Sequence, residues 1–355
     1  MHRRRFLSLL AGAAPGGVAL AGGLPREWSR ARALDFLVRQ QSPDGAWRSE
    51  VYGMFRGGDA LTPLVLRAIH RDRPRAAAAG FSWVFRQPPA TRTLFPVHNA
   101  CWLLEVAAER APLGGPRTRL TALRGPLIES LQSLQLGSGN GWSPDGKHFG
   151  GWSYAPEVPD QAAGEEVAAM QQPNLSATVL AVVGLRAAGV AMDDRMMQEA
   201  AAFIRSCQNF DTGEERFDDG GFFQLHDDLM RNKGGKAGVD AAGTIRFNSY
   251  PAATADGITG LLLTGTQPDH PRVQSAVRWL ERHRFHAAVP DLRLYSAYAQ
   301  NRARLLLGAR RPVSPHRPLD QNLDGSLRNP HGEMREDDPI VATSLALLAG
   351  EELWA

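Results

Sequence analysis

The chain has 355 residues, 43% hydrophobic and 22% charged, the composition of a soluble globular protein with one large core or two small ones. Its formal charge of +3 resides in the first residues: removing 1–21 takes three arginines and no acid, leaving 37 basic against 37 acidic side chains. The basic pI therefore gives no reason to expect a nucleic-acid partner, and no segment after the leader keeps 18 uninterrupted apolar residues, as a membrane span would.

Residues 1–21 read as an export leader. Arg3, Arg4 and Arg5 precede an apolar stretch and the small-x-small site Ala19-Leu20-Ala21, the layout of a cleavable signal. Arg3-Arg4-Arg5-Phe6-Leu7 also fits the twin-arginine pattern for export of folded protein. Pro15-Gly16-Gly17 argues against a stable anchor helix. A periplasmic or cell-envelope location is expected. The two cysteines, Cys101 and Cys207, fall in apolar helical patterns and read as buried free thiols, with a bridge open to an exported protein.

From residue 27 to 350 two kinds of helix alternate. Amphipathic helices with apolar positions at i, i+3, i+4 spacing are predicted over about 27–40, 73–87, 118–135, 192–208 and 270–284. A sixth is missing or eroded before 318. Between them, helices apolar nearly all round are predicted in 57–69, 95–107, 173–189, 249–265, 292–308 and 337–350. A helix apolar on every face is buried on every face. Alternating half-buried and fully buried helices, without a strand pattern, predict an all-α closed ring of about six helical hairpins, an α/α toroid in one domain.

Four helix ends repeat a glutamine, then glycine, then an aromatic. They are Gln41…Gly45…Trp47, Gln135…Gly141…Trp142, Gln208…Gly220-Gly221-Phe222, and Gln321…Gly325, where Leu327 replaces the aromatic. Glycine lets the backbone approach closely while the ring covers the next hairpin, and glutamine can bond exposed helix-end groups. The tryptophans are expected to pack rather than catalyse.

These units resemble the QW repeats of squalene–hopene and oxidosqualene cyclases, whose single-ring relatives are the protein prenyltransferase β subunits. The stretch 148–189, "HFGGWSYAPE…PNLSATVLAVVGLRAAG", is similar to the cyclases in particular. The resemblance implies a central cavity for an isoprenoid or other small hydrophobic ligand, with a membrane-surface contact left open. Its chemistry does not carry over. Placed on the D-x-D-D acid motif of class II cyclases, "PNLSAT" puts Asn174, Ser176 and Ala177 at the acid positions, and no D-x-D-D occurs anywhere. The Asp pairs at 193–194, 218–219, 227–228 and 337–338 do not extend to D-D-x-x-D. The zinc set of the prenyltransferases is missing too: Pro251 follows Tyr250 where their histidine would stand, and Asn99-Ala100-Cys101 replaces D-x-C. No metal or other cofactor is expected.

In toroids of this kind the buried helices begin around one mouth of the cavity, so their first residues are the site candidates. Asp256, Asp337 and Asp338 are the candidate catalytic acids. Asp59, His98, Asn99, Asn174, Tyr250, Tyr295 and Tyr298 are the candidate ligand contacts. For each acid an N-cap or first-turn role is the competing explanation. The Gly-rich loop 224–243, with His226, Asp227, Asp228 and Asp240, reads either as a lid or as solvated charge. Two other functions stay open: a binding or scaffold toroid without chemistry, and a polysaccharide hydrolase or lyase on the same architecture.

Overall fold

The computed structural model describes residues 28–87, 95–109, 116–161, 163–283, 292–308, 321–331 and 335–354. The leader at 1–21 and the stretch just before 318 lie outside them.

Prolines open many of the helices, where their missing N–H removes no helical bond and their fixed φ suits the first turn. The outer helices are α1 (Arg30–Arg39), α3 (Pro74–Val84), α5 (Pro116–Leu134), α7 (Arg195–Ser206) and α9 (Pro271–His283). The inner helices are α2 (Thr62–Ile69), α4 (Pro96–Ala108), α6 (Leu175–Ala187), α8 (Pro251–Leu263), α10 (Arg293–Leu306) and α11 (Pro339–Trp354). Each inner helix packs on the next, α2 on α4, then α6, α8, α10 and α11, and α11 packs back on α2, so the ring is closed. The fold is the α/α toroid expected. The loop after α7 departs from expectation: it carries a small antiparallel hairpin, β1 (Lys236–Val239) with β2 (Ile245–Phe247).

The repeated units are clasps. The Nε2 of Gln41 donates to Gly45 O and to Ala76 O in the first turn of α3, at 2.9 and 2.8 Å. Gln135 does the same to Gly150 O and Met196 O of α7, and Gln208 to Gly220 O and Arg272 O of α9. Gln321 reaches Gly325 O and then Ser29 O, the N-cap of α1, so the last unit fastens the ring to its beginning. Each aromatic or its substitute donates its backbone N–H to an inner-helix threonine at 2.9–3.0 Å. The pairs are Trp47 to Thr62, Trp152 to Thr178, Phe222 to Thr254 and Leu327 to Thr343.

The glycine of each clasp is a steric requirement. Gly45, Gly150, Gly220 and Gly325 have φ between 84° and 100°. An added Cβ would stand 2.3 Å from Ala79 O at Gly45 and 1.9 Å from Glu199 O at Gly150. This corrects one sequence assignment. The second unit closes on Gly150-Gly151-Trp152, not on Gly141-Trp142. Trp152 is fully buried, and its Nε1 donates to Leu131 O at 2.7 Å as that of Trp47 donates to Leu37 O. Trp142 packs in a satellite cluster with Leu136 and Phe149. Gly-Trp occurs twice in this unit, and the longer loop places the second copy on the ring.

Cys101 and Cys207 are free and buried. No helix of the described residues is long and apolar enough to cross a membrane.

Candidate functional site

The first turns of all six inner helices surround a central cavity of about 480 Å³. One side is apolar, built by Phe55, Leu61 and Leu64 near α2 and by Val341 and Leu345 of α11. The other side is aromatic and polar, and its groups bond one another. Tyr154 Oη lies 3.2 Å from Ser176 Oγ, which donates to Asn174 Oδ1 at 3.0 Å. Gln224 Nε2 donates to both Asn174 Oδ1 and Ser176 Oγ, while its Oε1 accepts from Tyr250 Oη at 2.9 Å. Asn174 is also the N-cap of α6, accepting from Ala177 N–H at 3.0 Å.

Tyr295 completes this wall and leads to the one candidate acid tied to the cavity. Its hydroxyl donates to Asp256 Oδ2 at 2.8 Å. Asp256 sits about one turn deeper on α8, 3% exposed. Burial drives its carboxyl from 3.8 up to about 7, against the hydrogen bond from Tyr295 and the charge of Arg302, which both favour ionisation. Near neutral pH it is therefore present in both protonation states. Burial also raises the phenols of Tyr154, Tyr250 and Tyr295, so all three remain hydrogen-bond donors. His98 joins the lining beside Phe95 and Tyr154, and burial lowers it to about 4, leaving it neutral.

Tyr295 is held from behind. Glu336 is fully buried and accepts the N–H groups of Leu294 and Tyr295, at 3.1 and 2.8 Å, and the amide of Asn329 at 2.8 Å. It satisfies the exposed donors at the start of α10, and burial raises its carboxyl to about 7. Toward the C-terminal ends of α2 and α4 an ionic cluster packs the ring. Arg67 lies between Glu105 and Glu109, and Arg302 of α10 reaches Glu105. His70 and Arg71 also bond Glu109; burial alone would raise its carboxyl, but these partners hold it at about 2.

The structure thus brings His98, Asn174, Tyr250 and Tyr295 into one lining, with Asp256 directly behind Tyr295. It places the other candidates elsewhere. Tyr298 packs on Trp102 beneath Arg302. Asn99 is buried within α4 and Asp59 precedes α2, both outside the lining. Asp338 is an N-cap, accepting from Ile340 and Val341 N–H at 2.9 and 3.1 Å. Asp337 accepts from Tyr52 Oη at 2.6 Å. Sequence reading missed Tyr154, Ser176, Gln224 and the cationic residues Arg231, Lys233 and Arg335 of the lining. A cue existed for some: Gln224, Arg231 and Lys233 lie in the polar loop already singled out. Among the described residues no group of three or more His, Cys, Asp or Glu could hold a metal ion.

The ring and its cavity define an α/α toroid. No protein-family profile matches the chain, and no curated protein matches it. A solved structure with the same fold is an inactive variant of a GH76 α-1,6-mannanase of Salegentibacter sp., in complex with α-1,6-mannotriose, with two consecutive aspartates replaced by asparagine. It is 10% identical to this chain, with a TM-score of 0.51, over 89% of this chain and 98% of that one. At that identity the likeness gives the ring fold, and it lends no support to membership of the cyclase or prenyltransferase families. It also corrects the ligand expectation. The isoprenoid or lipid partner rested on the cyclase resemblance alone, whereas the neighbour sharing this ring holds a carbohydrate.

Proposed function

We propose that this toroid is a carbohydrate-active protein, exported by its leader, whose cavity grips a saccharide on the Tyr154–Tyr250–Tyr295 wall. The observation that carries the reading is the arrangement of that wall. Three phenols, two amides and a serine hydroxyl converge on one side of a concave space that also carries Arg231, Lys233 and Arg335. Sugars present both hydroxyls and C–H faces, and such a wall offers hydrogen bonds to the first and aromatic surface to the second. The neighbouring mannanase, which carries a mannotriose in the same fold, supports the class of ligand.

Any chemistry runs through the Tyr295–Asp256 pair. Tyr295 is the group in contact with the ligand, and Asp256, protonated in part at neutral pH, supplies or accepts its proton. Hydrolysis by two opposed carboxylates is a different arrangement, and no Asp or Glu lines the cavity among the described residues. That absence favours a second reading, a saccharide-binding toroid without turnover. Calorimetry of the mature protein against a panel of oligosaccharides, followed by mass spectrometry of the products, separates the two. Binding with turnover that Tyr295→Phe and Asp256→Asn abolish supports the first; binding without turnover supports the second. Failure to bind any saccharide overturns both.

A further inference from the structure

The lining carries a second feature that the tyrosine wall does not use: buried donors with no acceptor. Asn174 is fully buried and lines the cavity. Its Oδ1 takes hydrogen bonds from Ala177 N–H, Ser176 and Gln224, and because a backbone N–H can only donate, Ala177 fixes which side-chain atom is the oxygen. Its Nδ2 is therefore a donor, and it is buried without a partner. Arg231 lies on the same side. Its Nε donates to Asp228 at 2.7 Å and its Nη2 to Gln172 Oε1 at 2.5 Å, which pins the guanidinium next to the start of α6. Its Nη1 is likewise buried without a partner. A buried donor without an acceptor is destabilising, more so when charged. Two of them on one stretch of cavity wall mark a place where an acceptor fits.

The local charge says what kind of acceptor. Lys233 and Arg335 also line the cavity, and no acid does among the described residues. The nearby carboxylates are Asp228, committed to Arg231, Asp337, committed to Tyr52, and Asp256, behind the wall and bonded by Tyr295. The N-terminus of the 13-residue helix α6 adds its positive dipole end beside Asn174.

We propose that Asn174 and Arg231, with Lys233 beside them, form an oxyanion subsite, so that the saccharide taken by this cavity carries a carboxylate or a sulfate. The subsite rests on the saccharide reading above for its sugar, but not for its anion. The charged oxygens sit against Asn174 Nδ2 and Arg231 Nη1, while the ring stacks on the tyrosine wall. A hydrogen bond to a charged group contributes about 1.5–3 kcal/mol, which is about 10- to 150-fold in affinity.

The test uses four probes on the mature protein: an oligogalacturonate, its methyl ester with the same backbone and no charge, a sulfated oligosaccharide of the same length, and inorganic sulfate. Wild type binds the uronate or the sulfated sugar at least about tenfold tighter than the neutral ester, and Arg231→Gln lowers that ratio severalfold toward one. Which acidic sugar wins tells carboxylate from sulfate. Arg231→Lys, which keeps the charge on a side chain of similar length, retains part of the preference and guards against a folding artefact in the glutamine variant. Equal affinity for acid and ester in the wild type overturns the subsite and leaves the saccharide reading standing. If no sugar binds, yet sulfate shifts the Asn174 side-chain amide resonance and Arg231→Gln removes that shift, the saccharide reading fails and the anion subsite survives. Silence from all four probes overturns the subsite.

Discussion

Asp256 gives the sharpest test of the site. Its carboxyl titrates at 3.8 in its ordinary state and at about 7 in the folded ring. The sign of the pH effect follows from proton counts. Below pH about 4 both folded and unfolded chains hold this proton, and its contribution is constant. Between about 4 and about 7 the unfolded chain has lost it and the folded chain keeps it, so stability falls as pH rises. Above about 7 both are ionised and the loss is complete. A shift of about three units corresponds to about 4 kcal/mol. Glu336, raised by burial from 4.5 to about 7, adds a second loss of the same sign over a similar window. Asp256→Asn removes the first and keeps the second, since Tyr295 Oη can still donate to an amide oxygen. Urea unfolding at pH 4.5, 5.5, 6.5 and 7.5 should therefore show wild type losing about 2–4 kcal/mol more than Asp256→Asn across the series. Parallel curves for the two proteins would refute the buried, neutral carboxyl and with it the proton role assigned to Asp256.

The clasps make further predictions. Gly150→Ala, with φ of 84° and a Cβ driven into Glu199 O, should lower stability by about 2–5 kcal/mol, combining left-handed strain with overpacking. Gly141→Ala, at φ 79° with open space around it, should lose only about 1–2 kcal/mol, and thermal melts of the pair measure the difference. Gln135→Ala leaves Gly150 O and Met196 O short of a donor and should cost about 1–3 kcal/mol by denaturant unfolding. Cys101 and Cys207 are buried, and burial raises both thiols, so neither should react with a thiol reagent until the protein is unfolded.

The ring was legible in the sequence because it is written in repetition. Four glutamines, four glycines and two helix periodicities each report the same hairpin, so an error in one copy does not disturb the whole. The misplaced Trp142 shows the limit: spacing between glutamine and glycine runs from four residues at Gln41 to fifteen at Gln135, and a loop of variable length cannot be aligned by eye. The helix starts were legible as positions but not as roles. Asp338 and Asn174 both cap inner helices, yet only Asn174 lines the cavity. Tyr154 carried no signal, and Gln224 only that of lying in the polar loop 224–243, because neither belongs to an inner helix; each reaches the wall from a loop whose path only the closed ring defines.

The repeat also explains why the polar wall is one-sided. Each clasp threonine fixes the rotation of its inner helix, because its Oγ1 must meet the N–H of the clasp residue. In α6 and α8 the position four residues earlier, the N-cap, is thereby placed at the cavity mouth. Before Thr178 that residue is Asn174, and before Thr254 it is Tyr250; both line the cavity and both carry side-chain hydrogen-bonding groups. Before Thr62 it is Gly58 and before Thr343 it is Pro339, which offer none. The device therefore presents side-chain hydrogen-bonding groups on the α6–α8 side and none on the α2–α11 side, where Leu61, Leu64, Val341 and Leu345 form the wall and Arg335, stacked on Tyr52, is its polar member. The clasp sets where a residue points, and its identity sets what is recognised. Leu64→Asn, at a residue that lines the cavity on the α2 side, should add a polar group to the apolar side. Improved binding of a neutral sugar with no change in the acid-to-ester preference would show that the two sides of the cavity read the ligand independently, while a changed preference would show that the α2 side also contacts the charged group.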